Sequence, residues 1–267
     1  MRLRRPWRLA LVPAVLITAG CFQGQRTIHL KADGSGTITD TLVLGEQMKA
    51  MMAMADAKGK DKGERAKEKA KNEAAALAMG PGVTFVSEDK TPSGIKTVYA
   101  FRDIGAVKVG ASPGPDSTDK EAGTREQPLT FRFARQGGKS VVTVVQPQPA
   151  RREKTQGATG GTPEPMASMG AAMWTMMKPM MKGLSITTVL EVDGPIVKSS
   201  SPYVSGSAVT LLELDFDKIT ADDANFQKFT RAGGDPSTLD PKLLQGVKGI
   251  KVSPAAEITV EFTGKQP

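Results

Sequence analysis

Cys21 is the one cysteine in the chain of 267 residues, and its thiol is a nucleophile that could be acylated. It directly follows the small residues Thr18, Ala19 and Gly20. Four arginines and an apolar run at 9–17 come before them, and this order is typical of an export signal. An unpaired thiol in an oxidising compartment needs an explanation, and acylation of the sulfur would supply one.

The order Thr18-Ala19-Gly20-Cys21 resembles the lipobox of bacterial lipoproteins, with Thr18 at the position where Leu is commonest. The resemblance implies that signal peptidase II removes residues 1–20 after the Cys21 sulfur has received a diacylglycerol. A third acyl chain such as palmitate would then be linked to the new amino terminus. A conventional secretory signal that leaves a free Cys21 is the alternative.

The apolar run is too short for a membrane span, since it is interrupted by Pro13 and a transmembrane helix needs about 20 apolar residues. We therefore predict a protein of the cell membrane or outer membrane that is lipid-anchored and faces the periplasm or the cell exterior. Phe22 stands where an inner-membrane retention signal of enteric bacteria would have Asp. This favours the outer membrane if the host has two membranes.

The net charge of +8 overstates the basicity of the mature chain, because four of the basic residues lie in the signal. The remaining excess lies mainly at 49–71 and 151–154, where no aromatic residues alternate with the charges. Nucleic-acid surfaces combine both kinds of side chain. The composition thus argues against a nucleic-acid partner, and it favours solvated charge runs over loose attraction to anionic lipid headgroups.

Short alternating segments separated by glycine-containing turns predict strands in pairs. The predicted hairpins join 27–32 with 37–44, 83–88 with 96–101, and 129–135 with 140–146. Further strands are predicted at 185–192, 209–216 and 258–262. We expect an α+β fold with a mainly antiparallel sheet built from hairpins.

Two segments rich in Gly, Pro and charged residues, 111–127 and 147–165, show no apolar periodicity and predict long disordered loops. The pieces of chain on either side are too small to fold as independent domains. We therefore predict a single α+β envelope domain over 21–267, with flexible insertions at these two places.

Two methionine-rich helices, at 45–79 and 166–182, are expected to cover the sheet. Methionines of the second recur every three or four residues and so share one helix face, and Pro179 should kink the last turn. Filling of an irregular core is the favoured role. A soft-metal site for Cu(I), or contact with a membrane or partner helix, is the alternative. The candidate thioether ligands are Met173, Met176, Met177 and Met180.

Catalytic patterns are scarce in this sequence. His29 is the one histidine, no Gly-x-Ser-x-Gly elbow is present, and pairs of Cys or His for zinc are missing. An acidic cluster surrounds a predicted helix start at 217–220, where capping is favoured over Ca²⁺ binding. Its members are Asp215, Asp217, Asp222 and Asp223. We predict no enzyme and no cofactor apart from the covalent lipid on Cys21.

The lipobox, the Asp33-Gly34-Ser35-Gly36 turn between two strands and the charged helix that follows resemble uncharacterised bacterial lipoproteins, some of them of the LppM type. The segments Tyr99-Ala100-Phe101-Arg102-Asp103-Ile104 and Gly194-Pro195-Ile196 extend the likeness. It implies an α+β envelope domain and carries over no catalytic residues. We expect a lipid-anchored binding or structural module, with the membrane and an envelope protein as partners.

Overall fold

The computed structural model describes residues 22–45, 49, 62–91, 93–113, 128–146, 178–231 and 244–264. Strands dominate these residues. The first seven strands are β1 Phe22–Leu30, β2 Gly36–Leu44, β3 Thr84–Thr91, β4 Gly94–Phe101, β5 Lys108–Val109, β6 Leu129–Gln136 and β7 Lys139–Val145. The later strands are β8 Ser185–Val192, β9 Ile196–Ser199, β10 Val204–Ser205, β11 Ala208–Asp215, β12 Ile250–Val252 and β13 Glu257–Phe262.

Three α-helices and two short 3-10 turns accompany the strands in the described part of the chain. The helices are α1 Lys62–Ala78, α2 Phe216–Thr220 and α3 Asp223–Arg231, and the turns are Ile104–Ala106 and Lys178–Met181. The coarse prediction of a strand-rich α+β fold is therefore confirmed.

The described strands form two sheets. The large sheet has the order β10-β11-β8-β1-β2-β4-β3, with β12 beside β11, and the small sheet has the order β5-β6-β7-β13-β9. The pairing of β1 with β8 is parallel, whereas β1 and β2 pair antiparallel from Phe22↔Leu44 to Leu30↔Gly36. The large sheet is thus mixed, and β1 lies in its middle with a hydrogen-bonded strand on each side.

The turn between β1 and β2 is closed by its own side chains. The Asp33 carboxylate accepts hydrogen bonds from the hydroxyl and the backbone N–H of Ser35, and these bonds lower the pKa of Asp33. Gly34 has a φ of +93°, a left-handed conformation that glycine adopts without a Cβ penalty. The strands therefore enter the turn in a fixed register.

The main core holds side chains from both sheets. Alternate residues of the strands point into it, as a half-buried sheet requires. The large sheet contributes Ile28, Leu30, Ile38, Phe101 and Leu190, and the small sheet contributes Phe131, Val142, Val144, Ile258, Val260 and Phe262. A second cluster packs α2 and α3 against the end of β11, with Leu214, Phe216, Ile219, Phe229 and Leu244 in its interior.

Helix α1 covers one edge of the large sheet. Its Asn72 donates to Glu88 of β3 at 2.8 Å, and its Glu68 forms an ion pair with Lys90. Ala76 and Met79, at its C-terminal end, reach the main core. The sequence predicts a longer helix at 45–79, but 46–48 and 50–61, which hold its other methionines, lie outside the described residues.

The described end of the second methionine-rich segment differs from the predicted helix. Lys178–Met181 is a 3-10 turn, and Gly183 follows with a φ of +75°. Pro179 offers no backbone N–H, which prevents one of the hydrogen bonds of an α-helix. Residues 166–177 and most of the two predicted insertions lie outside the described residues.

Candidate functional site

The predicted lipidation site precedes the sheet directly. Thr18, Ala19, Gly20 and Cys21 lie outside the described residues, but Phe22, the next residue, begins β1. Gln23 is already paired on both sides, with Val43 of β2 and Ser185 of β8. A lipid on Cys21 would therefore be attached to the middle of one end of the large sheet.

The predicted copper ligands are mostly outside the described part of the chain. This applies to Met173, Met176 and Met177, whereas Met180 lies in the 3-10 turn Lys178–Met181. The neighbouring Met181, which is not on the predicted methionine face, is partly buried against the second core cluster. The Cu(I) site itself stays a prediction.

A row of buried polar side chains crosses four strands of the large sheet. Cross-strand neighbours in register are Thr188, Arg26, Asp40 and Thr97, on β8, β1, β2 and β4. We call these four residues the polar row. All four are buried, and Arg26 and Thr188 have no exposed surface. Burial of charge is costly unless the charge is paired and hydrogen-bonded, so the contacts of this row decide its role.

Arg26 and Asp40 form a bidentate ion pair. Arg26 Nε donates to Asp40 Oδ1 at 2.7 Å, and Arg26 Nη2 donates to Asp40 Oδ2 at the same distance. The planar guanidinium fork matches the two carboxylate oxygens, and such paired bonds are among the stronger hydrogen bonds of proteins. Both carboxylate oxygens are engaged, so the pair joins β1 to β2 instead of facing a substrate.

A short loop after β5, residues 110–113, covers the polar row. Arg26 Nη1 donates to the Gly110 carbonyl at 2.8 Å, and the Thr188 hydroxyl donates to the Ala111 carbonyl. Pro113 lies over Gly24, where an added Cβ would come within 2.6 Å of Pro113 Cγ. Residues 110–113, which include the start of the predicted insertion at 111–127, thus pack against β1 and β8.

Tyr99 lies on β4, two residues beyond Thr97, on the same face of the sheet as the ion pair. Burial raises its pKa to about 12, and the negative charge of Asp40 acts in the same direction, while Arg26 opposes it. A phenolate at this position would be a second buried anion beside Asp40. The fold therefore holds the proton on Tyr99 more tightly than the unfolded chain does.

Alkaline pH is expected to destabilise the protein through Tyr99. The stability that its raised pKa contributes is complete below the ordinary value of 10.0 and is lost as the pH rises from there to about 12. The full loss corresponds to ~3 kcal/mol. Denaturant unfolding at a series of pH values, with tyrosinate absorbance read in parallel, measures it. Tyr203→Phe leaves Tyr99 as the single tyrosine for this measurement.

The matched control for this measurement is Tyr99→Phe, which cannot ionise at this position. We expect its free energy of unfolding to change less between pH 10 and 12 than that of the parent. Lysines that titrate in the same range affect both proteins equally. Parallel pH profiles for the two proteins would contradict the role assigned to Tyr99.

Part of the acidic cluster caps helices, as the sequence predicts. The Asp215 carboxylate accepts from the Lys218 backbone N–H at the start of α2, and the Asp222 carboxylate accepts from the Ala224 N–H at 2.9 Å. Asp217 accepts from the Gly183 N–H at 2.8 Å. Asp223 pairs with Lys178, which lowers the pKa of Asp223. Each carboxylate has a protein partner.

The polar row is not among the predicted sites. A signal for two of its members was present, because Arg26 and Asp40 share the alternation of the buried Ile28 and Ile38. A charged residue at a core position of a strand needs a partner, and two opposite charges on adjacent strands can supply it. His29, by contrast, lies on the other face of β1 from Arg26 and Ile28, and it is half-buried.

Metal-binding clusters and membrane-spanning helices are both absent from the described residues. They contain no group of three or more His, Cys, Asp or Glu side chains arranged to hold a metal ion. Among their helices, none combines the length and apolar character that crossing a bilayer requires.

No protein-family model matches the chain, and no curated protein is similar to it. Among solved structures, it is similar to the NMR structure of the folded domain of LppM from Mycobacterium tuberculosis. The two are 7% identical, the match covers 95% of this chain and 96% of that chain, and the TM-score is 0.31. A likeness this distant carries no argument about function.

Proposed function

We propose that the chain is a lipid-anchored lipoprotein of the cell envelope, whose two-sheet domain acts as a binding or structural module at the membrane surface. The observation that carries this proposal is the position of Cys21, after Thr18-Ala19-Gly20 and one residue before β1. Cleavage at this point would remove the export signal and leave the described fold intact.

Lipid attachment at Cys21 is sufficient to account for stable membrane binding. A single acyl chain binds a membrane only marginally, and stable anchoring takes a second signal. A diacylglycerol on the sulfur and an amide-linked chain on the new amino terminus together provide three chains. The domain would therefore need no membrane-spanning segment to remain at the bilayer.

The described geometry supports a module more than an enzyme. The most deeply buried ionisable pair, Arg26 with Asp40, is closed by hydrogen bonds on β1, β2 and the loop at 110–113. The opposite face of the large sheet carries mainly polar side chains in its central strands, with the charged Glu191 and Lys96 among uncharged ones. They include Gln23, Gln25, Thr27, Thr37, Thr39, Thr41 and Thr187, which are exposed or half-buried. This face is polar and broad, as a contact surface can be.

Cys21→Ser is expected to abolish lipid labelling and signal cleavage. A serine hydroxyl cannot replace the sulfur that receives the diacylglycerol, so the variant should carry no labelled palmitate after growth with that fatty acid. Labelling in a bacterial host measures the loss of lipid, and the apparent mass of the variant on a gel shows whether residues 1–20 have been removed.

Thr18→Leu is the matched control for the Cys21 variant, because it brings the motif closer to the usual lipobox. It should retain both the label and the membrane location. Equal labelling of Cys21→Ser and the parent, or an unlabelled parent, would overturn the proposed function.

A further inference from the structure

The distance between the proposed lipid and the folded domain is fixed by covalent geometry. Cys21 and Phe22 are the only residues between the cleavage point and Gln23, the first residue of β1 that is paired on both sides. Two residues span at most ~7 Å. An anchor this short cannot let the domain drift away from the headgroup layer.

The position of β1 in the sheet determines which part of the domain lies next to the lipid. β1 lies between β2 and β8, so the chain leaves the large sheet from the middle of one end. Leu44 at the end of β2 and Ser185 at the start of β8 flank it there. The ends of three adjacent strands are thus held at one level beside the lipid. We call this end of the large sheet, with the residues Phe22, Val43, Leu44 and Ser185, the anchor end.

When the sheet stands on its anchor end, its opposite end lies far from the membrane. β1 has nine residues, and at ~3.3 Å per residue its last residue, Leu30, lies about 26 Å from Phe22. The turn with Asp33 and Ser35 follows Leu30. A headgroup layer is only about 5–8 Å thick, so this turn lies well outside it.

The chemistry of the anchor end suits a headgroup layer. Val43 is 40% exposed there, and the half-buried Phe22 adds a ring. Lys182, three residues before β8, is exposed and can attract anionic lipid, at about 1 kcal/mol for a lysine near the surface. Carboxylates also lie near this end, because Asp215 is in register with Ser185 and Asp217 accepts from the Gly183 N–H. Lys218 pairs with Asp215, so the exposed apolar side chains, more than the charge, suit this end to contact with lipid headgroups.

From these observations we infer that the anchor end rests on the bilayer surface, so that the large sheet stands on the membrane and presents its Asp33 turn to the aqueous space. This inference rests on the proposed function, because it requires a lipid on Cys21. It adds a docking surface and a fixed orientation, which anchoring by itself does not demand.

Two exposed valines form a matched pair for testing the orientation. Val43 is in register with Gln23 at the anchor end. Val204 is 41% exposed and lies farther from that end. Its cross-strand neighbours, followed from β10 to β1, are Val209, Leu190 and Ile28. The two rows are about 16 Å apart along β1. The lipid occupies the Cys21 sulfur, so Val43→Cys or Val204→Cys supplies the single free thiol for a fluorophore.

The experiment uses the full chain, made in a bacterial host, extracted in lipidated form and inserted into vesicles of phosphatidylethanolamine and phosphatidylglycerol. A nitroxide on the headgroups quenches nearby fluorophores. We expect the Val43→Cys label to lose most of its fluorescence and the Val204→Cys label to lose little. Equal quenching of the two labels on a lipidated protein would overturn the orientation and leave the proposed function standing. Absence of lipid would overturn both.

A flexible insertion tests the cause of the orientation. Ten Gly and Ser residues placed between Phe22 and Gln23 keep the lipobox intact and give a tether with a mean span of about 17 Å. We expect lipid labelling and membrane location to be unchanged and the difference between the two fluorophores to shrink to near zero. A difference that survives the insertion would contradict the role given to the short tether.

Discussion

Asp40→Asn is expected to lower the free energy of unfolding by about 3–5 kcal/mol, because it removes the carboxylate charge that faces the buried Arg26 guanidinium. Arg26 has no exposed surface, and two of its nitrogens donate to the Asp40 carboxylate. Denaturant unfolding of the mature domain gives the difference from the midpoint and the slope. Circular dichroism before unfolding establishes whether the variant is folded.

An exposed ion pair of the small sheet provides the control for this result. Arg132 Nη2 and Glu257 Oε2 lie 2.6 Å apart, and the two side chains are 61% and 48% exposed. Exposed pairs contribute about 0–1 kcal/mol, so Glu257→Gln should change stability little. The double variant Arg26→Met with Asp40→Leu removes both buried charges and should recover much of the loss. A loss of similar size in Asp40→Asn and Glu257→Gln would refute the account of the buried pair.

Gly36→Ala should destabilise the fold by about 3 kcal/mol, through overpacking where β2 begins. A Cβ at Gly36 would fall inside van der Waals distance of the His29 carbonyl oxygen and lie 2.7 Å from Cζ of Phe101. The carbonyl belongs to β1 and cannot move without disturbing the β1–β2 pairing. Unfolding by denaturant, monitored by circular dichroism, measures the loss.

Gly105→Ala is the matched control for the glycine substitution. The nearest atom to its added Cβ would be Asp103 Oδ1 at 3.2 Å, which belongs to an exposed side chain that can shift. We expect a change below about 1 kcal/mol. Equal losses in the two variants would show that the close approach of β1 and β2 is not what requires glycine at position 36.

Local patterns in the sequence predict the local pairings of the sheets. Alternation and glycine turns place β1 with β2, β3 with β4, and β6 with β7, and the structure pairs these strands antiparallel. The strands at Ser185–Val192 and Glu257–Phe262 also lie where alternation indicates them. These features depend on neighbouring residues, which a pattern along the chain records.

Pairings between distant segments could not be predicted in this way. β8 joins β1 in parallel and β13 joins β7, and no turn connects either pair. The partnership of Thr188 with the loop at 110–113 depends on these pairings. Arg26 and Asp40 could have been recognised as buried, because they alternate in step with buried apolar residues of their strands. The Gly110 carbonyl that accepts from Arg26 comes from a loop, where the sequence has no pattern that predicts this contact.

The central place of β1 has a consequence for the order in which the chain can fold. Gln23 and Ser185 are partners in the parallel pairing, although about 160 residues separate them in the chain. Synthesis produces the hairpin of β1 and β2 early, and one edge of β1 stays open until Ser185–Val192 emerges. Open strand edges invite pairing with other chains, and closure over such a separation slows folding. Nascent molecules are therefore most vulnerable to aggregation during this interval, and any factor that shields β1 would act there.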